Sequence, residues 1–487
     1  MFRNALSRSR STGVTLAAVA VVQFAVSLDL SVMNVGLPQI GGGLGFAAGA
    51  SLTWVIHAYA LAFGGLLMLG GRTADLLGRR RTLLIGVAVF AVASFLGGLA
   101  AEPWHLIAAR ALQGVGAAAA APAALSILTT TFPGGPERAR AFGVWAGVNA
   151  AGGALGVLVG GVLTEYAGWR WVMFVNVPMA VIAVALVARI APDRPRRRGR
   201  PDVLGALLVT AGAALLVLGI VRTEGVGWAS AQTVVVLGLA VALLAAFVAV
   251  ERRTSHDPLV RVELFRGRAL TGANLYNLLL GAAMASSFYL LSLHLQRVQD
   301  HSPAVTGVMF LPFALGVILG SAVSVRLRRR WSARIVLVIG AVLSTLGFVW
   351  FTGIDAQGSF VGDILGPSLL TSIGFGLALA PVVSTATEGV AARDAGAASG
   401  LLNSSRQIGA ALGLATVGTA AQARIGTIPT EASVAAGYAF GFGLCAVLLG
   451  GCLMIALVLL PRHRPEPDRS TDPARDTVPL ATVKENP

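Results

Sequence analysis

Apolar runs long enough to cross about 30 Å of hydrocarbon recur along almost the whole 487-residue chain. They lie near 14–36, 50–70, 82–101, 104–130, 140–163 and 169–190, then near 203–221 and 230–250. Six more follow near 270–295, 304–325, 335–353, 360–386, 395–420 and 437–460. Backbone inside lipid must satisfy its own hydrogen bonds, which leaves helices or closed barrels, and these runs are far longer than barrel strands. Only 12% of residues are charged, against about 25% in a typical soluble chain. The expected fold class is therefore an all-α membrane protein of fourteen spans, grouped six, two and six.

Orientation follows from the basic residues, because Lys and Arg concentrate in cytoplasmic loops. With the N-terminus inside, thirty of the 37 Lys and Arg residues fall in inside segments and four (Arg170, Arg222, Arg297 and Arg424) fall outside. Arg110, Arg189 and Arg406 lie within spans. The sequence thus predicts a multi-pass protein of the cell (cytoplasmic) membrane, in contact with membrane lipid and with both termini cytoplasmic. The same placement removes a nucleic-acid role for the net charge of +15: "RPRRRGRP" at 194–201 joins two spans on the side where basic loops belong. The start "MFRNALSRSR" leads into an apolar run too long for a signal peptide's core and interrupted by Asp29, so it reads as a retained first span. Cys445 and Cys452 are two turns apart in one run, too far for a disulfide within one helix, and no zinc spacing exists, so no metal site is expected. The tail from Pro461 is predicted to be disordered. The loop 251–269 is predicted to hold a short amphipathic helix around "PLVRVELFRGR". No soluble segment is long enough to be an enzyme, and there is no GxxxxGK[ST] loop for ATP.

Several motifs narrow this. "GRTADLLGRRR" at 71–81 falls between the second and third spans. Its glycines suit a tight turn, and Asp75 suits a helix cap or an arginine partner. "RALQGVGAA" at 110–118 puts Arg110 inside a span, where arginine is costly and usually functional. "GGALGVLVGG" at 152–161 places Gly152, Gly156 and Gly160 on one helix face, permitting close helix approach. With "LDLSVMNVGLP" (28–38), "WRWVMFVNVP" (169–178) and "GLLNSSRQIGAALG" (400–413), these stretches resemble the major facilitator superfamily, specifically its fourteen-span drug:proton antiporters. The resemblance runs from about residue 14 to 460. It implies two six-helix bundles, 14–190 and 270–460, with two additional spans and their basic linkers at 191–269, a cytoplasmic segment 1–13 and a tail 461–487. It also implies a conformational or gating role for Gly71, Arg72, Asp75, Gly78, Arg79, Arg80, Gly152, Gly156 and Gly160, proton coupling through Arg110, a monomer, and no cofactor beyond the proton gradient. In the exporter motif a proline follows the middle glycine. Here Val157 stands there, which argues against a kink.

The pivotal pair is Asp29 and Arg110, at similar depth from the outer ends of their spans. Pairing favours a carboxylate's ionised form, and burial without a partner favours its protonated form. If both face the central cavity, a movement that separates them makes Asp29 a proton carrier with Arg110 as modulator. The alternative is a structural hydrogen-bonding aspartate. Other polar groups at membrane depth are Asn34, His57, Gln113, Asn149, Asn274, Asn277, His294, Asn403, Arg406 and Gln407, either lining a substrate cavity or bonding between helices. His57 is either a second titrating group or a satisfied interhelical histidine. Trp54, Tyr59, Phe142, Trp145, Phe288, Tyr289 and Met309 offer an adaptable apolar lining or plain packing. Few mid-span acids point to neutral or singly cationic substrates. The expected function is proton-coupled export of small amphiphilic compounds (antibiotics, dyes or toxic metabolites) by alternating access. The alternative is an importer or exchanger of a specific solute on the same fold.

Overall fold

The computed structural model describes residues 2–46, 50–132, 135–190, 202–253, 267–388, 390, 395–426 and 430–461. The basic linker 194–200, the expected amphipathic helix over 258–266, Arg393 and the tail from 462 lie outside the described residues. Among the described residues every regular element is helical. The first bundle contains α1 (Phe2–Leu44), α2 (Ala50–Leu77), α3 (Arg79–Gly98), α4 (Pro103–Thr131), α5 (Gly135–Tyr166), α6 (Arg170–Phe174) and α7 (Asn176–Val187). The inserted pair is α8 (Val203–Val226) and α9 (Ala231–Arg253). The second bundle contains α10 (Arg268–Leu293), α11 (Pro303–Met309), α12 (Leu311–Leu327), α13 (Ala333–Phe351), α14 (Gly366–Thr387), α15 (Ala395–Ile425) and α16 (Glu431–Val458). α6 with α7, and α11 with α12, each make one crossing. Thirteen helices are long and apolar enough to cross a membrane. The fourteenth crossing is α15, long enough but polar at its middle through Asn403, Ser404, Ser405, Arg406 and Gln407.

Two boundaries differ from the sequence expectation. α1 does not stop near Gly36; it continues through Pro38 to Leu44, because Leu37, Ile40 and Leu44 are buried among its neighbours. The stretch 71–81 is not a loop. α2 continues to Leu77, α3 starts at Arg79, and Gly78 alone makes the turn at φ 95°, a conformation glycine adopts without strain. Gly71 is inside α2, 3.6 Å (from an added Cβ) from the Pro122 ring. α5 runs unbroken past Val157.

Within the first bundle α1 packs on α5 and α7, and α4 lies between α2 and α3. In the second, α10 packs on α15 and α16, and α14 lies between α12 and α13. The bundles meet where α2 lies on α15 and α5 on α11. α8 covers the α2–α15 seam, its Ala213, Val217, Ile220 and Val221 clustering with Ala60, Leu61, Ala411 and Ala415. α9 packs on α8 and is otherwise largely exposed.

Glycine sets the closeness of α1 and α5. A Cβ added at Gly152, Gly156 or Gly160 would stand 3.0 Å from Phe24 O, 2.8 Å from Leu28 O and 2.7 Å from Val32 O respectively. Proline supplies acceptors elsewhere. Pro38 lacks an N–H, so Asn34 loses its helical donor, and the freed carbonyl accepts Ser292 Oγ of α10 at 3.0 Å. Pro381 does the same for Leu377, whose carbonyl accepts Ser324 Oγ at 3.0 Å. Around Pro38, Gln296 Nε2 also donates to Val35 O (3.1 Å), and Gln39 Nε2 to Gln296 Oε1 (3.2 Å). Glu165 at the end of α5 accepts from Ser302 Oγ (2.6 Å) and Ala304 N (2.9 Å) at the start of α11. These polar ties between bundles all lie toward the arginine-poor end.

Gly156→Val should destabilise the purified protein by about 1–3 kcal/mol, since backbone cannot yield to the added volume. Gly143, with nothing within 4 Å of an added Cβ, should tolerate alanine and gain up to about 1 kcal/mol from helix propensity. Thermal unfolding in detergent reads both signs.

Candidate functional site

Asp29 (α1) and Arg110 (α4) meet inside the first bundle, with Arg110 Nη1 donating to Asp29 Oδ2 at 2.7 Å. Their relative exposures are 0% and 1%. The cost of burying the pair this completely is offset by the polar groups gathered around it. Asn176 Nδ2, from the first turn of α7, donates to Asp29 Oδ1 at 2.7 Å, and Gln113 Nε2 to the same oxygen at 3.2 Å. Gln113 Oε1 accepts from Arg110 Nη1 (2.6 Å), and its amide also donates to Ser94 Oγ on α3 (2.6 Å). Arg110 Nε donates to the Val55 carbonyl on α2 at 3.0 Å. The guanidinium carbon lies 4.4 Å from the Tyr59 ring centre, a cation–π contact.

Five helices of one bundle therefore converge on one charge pair. Gln113, expected at a substrate cavity, is a buried bridge in this network, and the pair is sealed in the bundle core and not at an open cavity. Asn176, Ser94 and the Tyr59 ring contact were not singled out as coupling partners from sequence. Asn176 carried a signal, as a lone amide in the apolar run 169–190. Ser94 carried none beyond being a hydroxyl among alanines. His57, two residues from Tyr59 and fully buried, has no hydrogen-bond partner at either ring nitrogen and meets Trp54 edge-on at 5.7 Å between ring centres.

The other candidates lie apart from this pair. Asn149 on α5 accepts Gln23 Nε2 and Ser27 Oγ of α1, both at 2.6 Å. Asn34 Nδ2 donates to Leu30 O at 3.0 Å. On α10, Asn274 accepts Ser405 Oγ (2.7 Å), and Asn277 Nδ2 donates to Leu402 O (2.7 Å), so both tie α10 to α15. Tyr289 lines a small cavity toward the arginine-poor end with Leu52, Arg297, Gln422 and Tyr438. His294 is buried in the π-helical turn that extends α10. Asn403 Nδ2 donates to Ser399 O at 3.2 Å. Gln407 Nε2 has no partner, and no hydrogen bond or ion pair joins Arg406 to any described residue. Near Gly78, Arg79 donates to Thr130 Oγ1 (2.9 Å), and Arg80 to the carbonyls of Val187 (3.2 Å) and Ala188 (2.8 Å) at the end of α7. A cation there meets the negative end of the helix dipole. Arg72 lies partly buried in the last turns of α2. Asp75 has no hydrogen bond or ion pair with a described residue, in place of the arginine pairing or cap expected of it. Cys445 and Cys452 are free and buried.

Fourteen crossings in two bundles around an inserted pair, with a charge pair sealed at membrane depth, define a polytopic membrane protein of the two-bundle transporter class. The Major Facilitator Superfamily model matches residues 19–414, and the chain belongs to that superfamily. It is 42% identical over 475 residues to the cephamycin export protein CmcT of Amycolatopsis lactamdurans, covering 97% of this chain and 96% of that one. It is 41% identical over 458 residues to the puromycin resistance protein pur8 of Streptomyces alboniger, covering 91% and 90%. The crystal structure of a point mutant of the nucleoside transporter NupG shares the fold at TM-score 0.66 and 14% identity, over 91% of this chain and 99% of that chain.

Removing one partner of a buried ion pair strands the other. Arg110→Gln should therefore cost roughly 3–5 kcal/mol of stability, and the double variant Asp29→Asn/Arg110→Gln should recover a large part of it. Thermal unfolding of the four proteins of the cycle in detergent measures the coupling.

Proposed function

We propose that this protein is a proton-driven exporter of small amphiphilic antibiotics or similar toxic compounds, working by alternating access in the cytoplasmic membrane. The observation that carries the reading is the Asp29–Arg110 pair, sealed in the first bundle with Asn176 and Gln113 on the carboxylate. The export direction is supported by the similar proteins, which are named for cephamycin export and puromycin resistance. The arginine-rich end, with both termini, lies in the cytoplasm in this reading. The polar ties at the opposite end then close the outer side, and this conformer loads from within.

Magnitudes decide how the pair is released. Stranding one charge of such a pair costs roughly 3–5 kcal/mol, and separating it with both charges in place strands two. A unit charge falling through 100 mV gains only about 2.3 kcal/mol. The field alone does not open the site, so protonation of Asp29 must come with it. Once Asp29 is neutral, Arg110 still has the Val55 carbonyl, Gln113 Oε1 and the Tyr59 face, so its charge is not stranded. α1 is then free to shift against α4 and carry α5, locked to it by the glycine face. Rocking of the two bundles about a midplane site follows. Protons and the exported compound are the working partners, the monomer suffices, and no bound cofactor or catalytic chemistry is required.

In everted vesicles energised by respiration, the wild-type protein should accumulate fluorescein in a protonophore-sensitive way. Asp29→Asn should drop to the level of vesicles lacking the protein while still exchanging dye down its gradient. Undiminished uphill transport by Asp29→Asn would remove Asp29 from the coupling mechanism, and uphill movement in the opposite direction would make the protein an importer.

A further inference from the structure

α15 carries a second mid-span arginine whose circumstances are the reverse of Arg110's. Arg406 lies eleven residues into a 31-residue helix, roughly 17 Å along it, so it is deep within the span. Arg110 meets Asp29, Gln113, the Val55 carbonyl and the Tyr59 ring, whereas Arg406 has no acceptor, carboxylate or aromatic face among the described residues. Its stem has been given room: an added Cβ at Gly281 of α10 would stand 3.0 Å from Arg406 Cγ.

The face it occupies is defined by what packs on the others. α2 covers Gln407 and Ile408 through Gly64, and α8 joins the cluster at Ala411 and Ala415. α10 covers Leu402, Ser405, Gly409 and Gly413. Asn403, Arg406 and Ala410, spaced as one helical face, stay partly exposed. Beside them, Gln407 Nε2 and Ser404 Oγ are buried without partners. The group is rich in donors and holds no acid. Among the described residues Asp29 is the one carboxylate at mid-span, and it is committed to Arg110, Gln113 and Asn176.

We infer that Arg406, with Gln407 and Asn403 beside it, is an anion-receiving subsite for the carboxylate of the exported amphiphile. An intramembrane arginine without a protein partner awaits one, and a planar guanidinium matches a carboxylate bidentately. This deepens the export reading and rests on it. It also reverses the substrate charge expected from the scarcity of acids: the charged mid-span group without a partner among the described residues is a cation, and it selects anionic amphiphiles over their neutral counterparts.

The test uses matched pairs, benzylpenicillin with its methyl ester and fluorescein with its methyl ester, titrated by tryptophan fluorescence against the full-length protein in phosphatidylcholine nanodiscs. The wild type should bind each acid roughly tenfold or more tighter than its ester, the range of a charge-assisted hydrogen bond. Arg406→Gln should lose that preference and leave ester binding within about twofold. Arg406→Lys, which keeps the charge without the fork, should retain part of it. An equal preference in the wild type, equal loss of acid and ester in Arg406→Gln, or no binding of any of the four overturns the subsite. Loss of the preference when phosphatidylglycerol replaces part of the lipid also overturns it, assigning the arginine to a lipid head group. Protonophore-sensitive uphill transport of fluorescein by the same protein separates these outcomes from failure of the export reading itself.

Discussion

One ion pair at membrane depth organises the first bundle. An uncompensated charge there is among the costliest features a fold can carry, and five helices contribute a group to lower that cost: Asp29 from α1, Val55 and Tyr59 from α2, Ser94 from α3, Arg110 and Gln113 from α4, and Asn176 from α7. The network fixes the mutual register of those helices, so any change in the charge of Asp29 is felt by all of them. Under the proposed coupling, that concentration of dependence is what would let a single proton bias a movement of a whole bundle.

The movement must be transmitted without a hydrophobic drive, because lipid is as apolar as the helix surfaces. Backbone shape and backbone polarity take over. The glycine face at 152, 156 and 160 brings α5 onto the α1 backbone, so the two travel together. Pro38 and Pro381 each free a carbonyl that a serine on another helix then takes. The first of these ties joins the bundles and the second stays within one. In the proposed cycle, a tie of a few hydrogen bonds near the arginine-poor end, with Glu165 on the α11 start, is the one that would open and reclose.

The count of crossings and the two charged residues of the pair were legible in the sequence, because apolar length and a charge within it are one-dimensional signals. α15 was visible as a span only because its length outweighed its polar middle. What the sequence did not disclose was whatever depends on which helix meets which. The supporting roles of Ser94 and Asn176 need the packing of α3 and α7 around α4. The diversion of Gln113 from a cavity into the buried network needs the same packing. The helical course of residues 71–77 was hidden by glycines that read as turn formers. Burial of Ala74 overrode that local preference, and only Gly78 kept it. Arg406 stood in the sequence beside Asn403 and Gln407, but its lack of a side-chain partner among the described residues is a three-dimensional fact.

In the proposed cycle the Asp29 carboxyl takes up a proton as it leaves Arg110. Infrared difference spectroscopy of the purified protein across a downward pH jump reads that group directly. A protonated-carboxyl stretch of a buried acid should appear in the wild type and be missing from Asp29→Asn. A wild-type spectrum without such a band, or one that Asp29→Asn leaves intact, would contradict it.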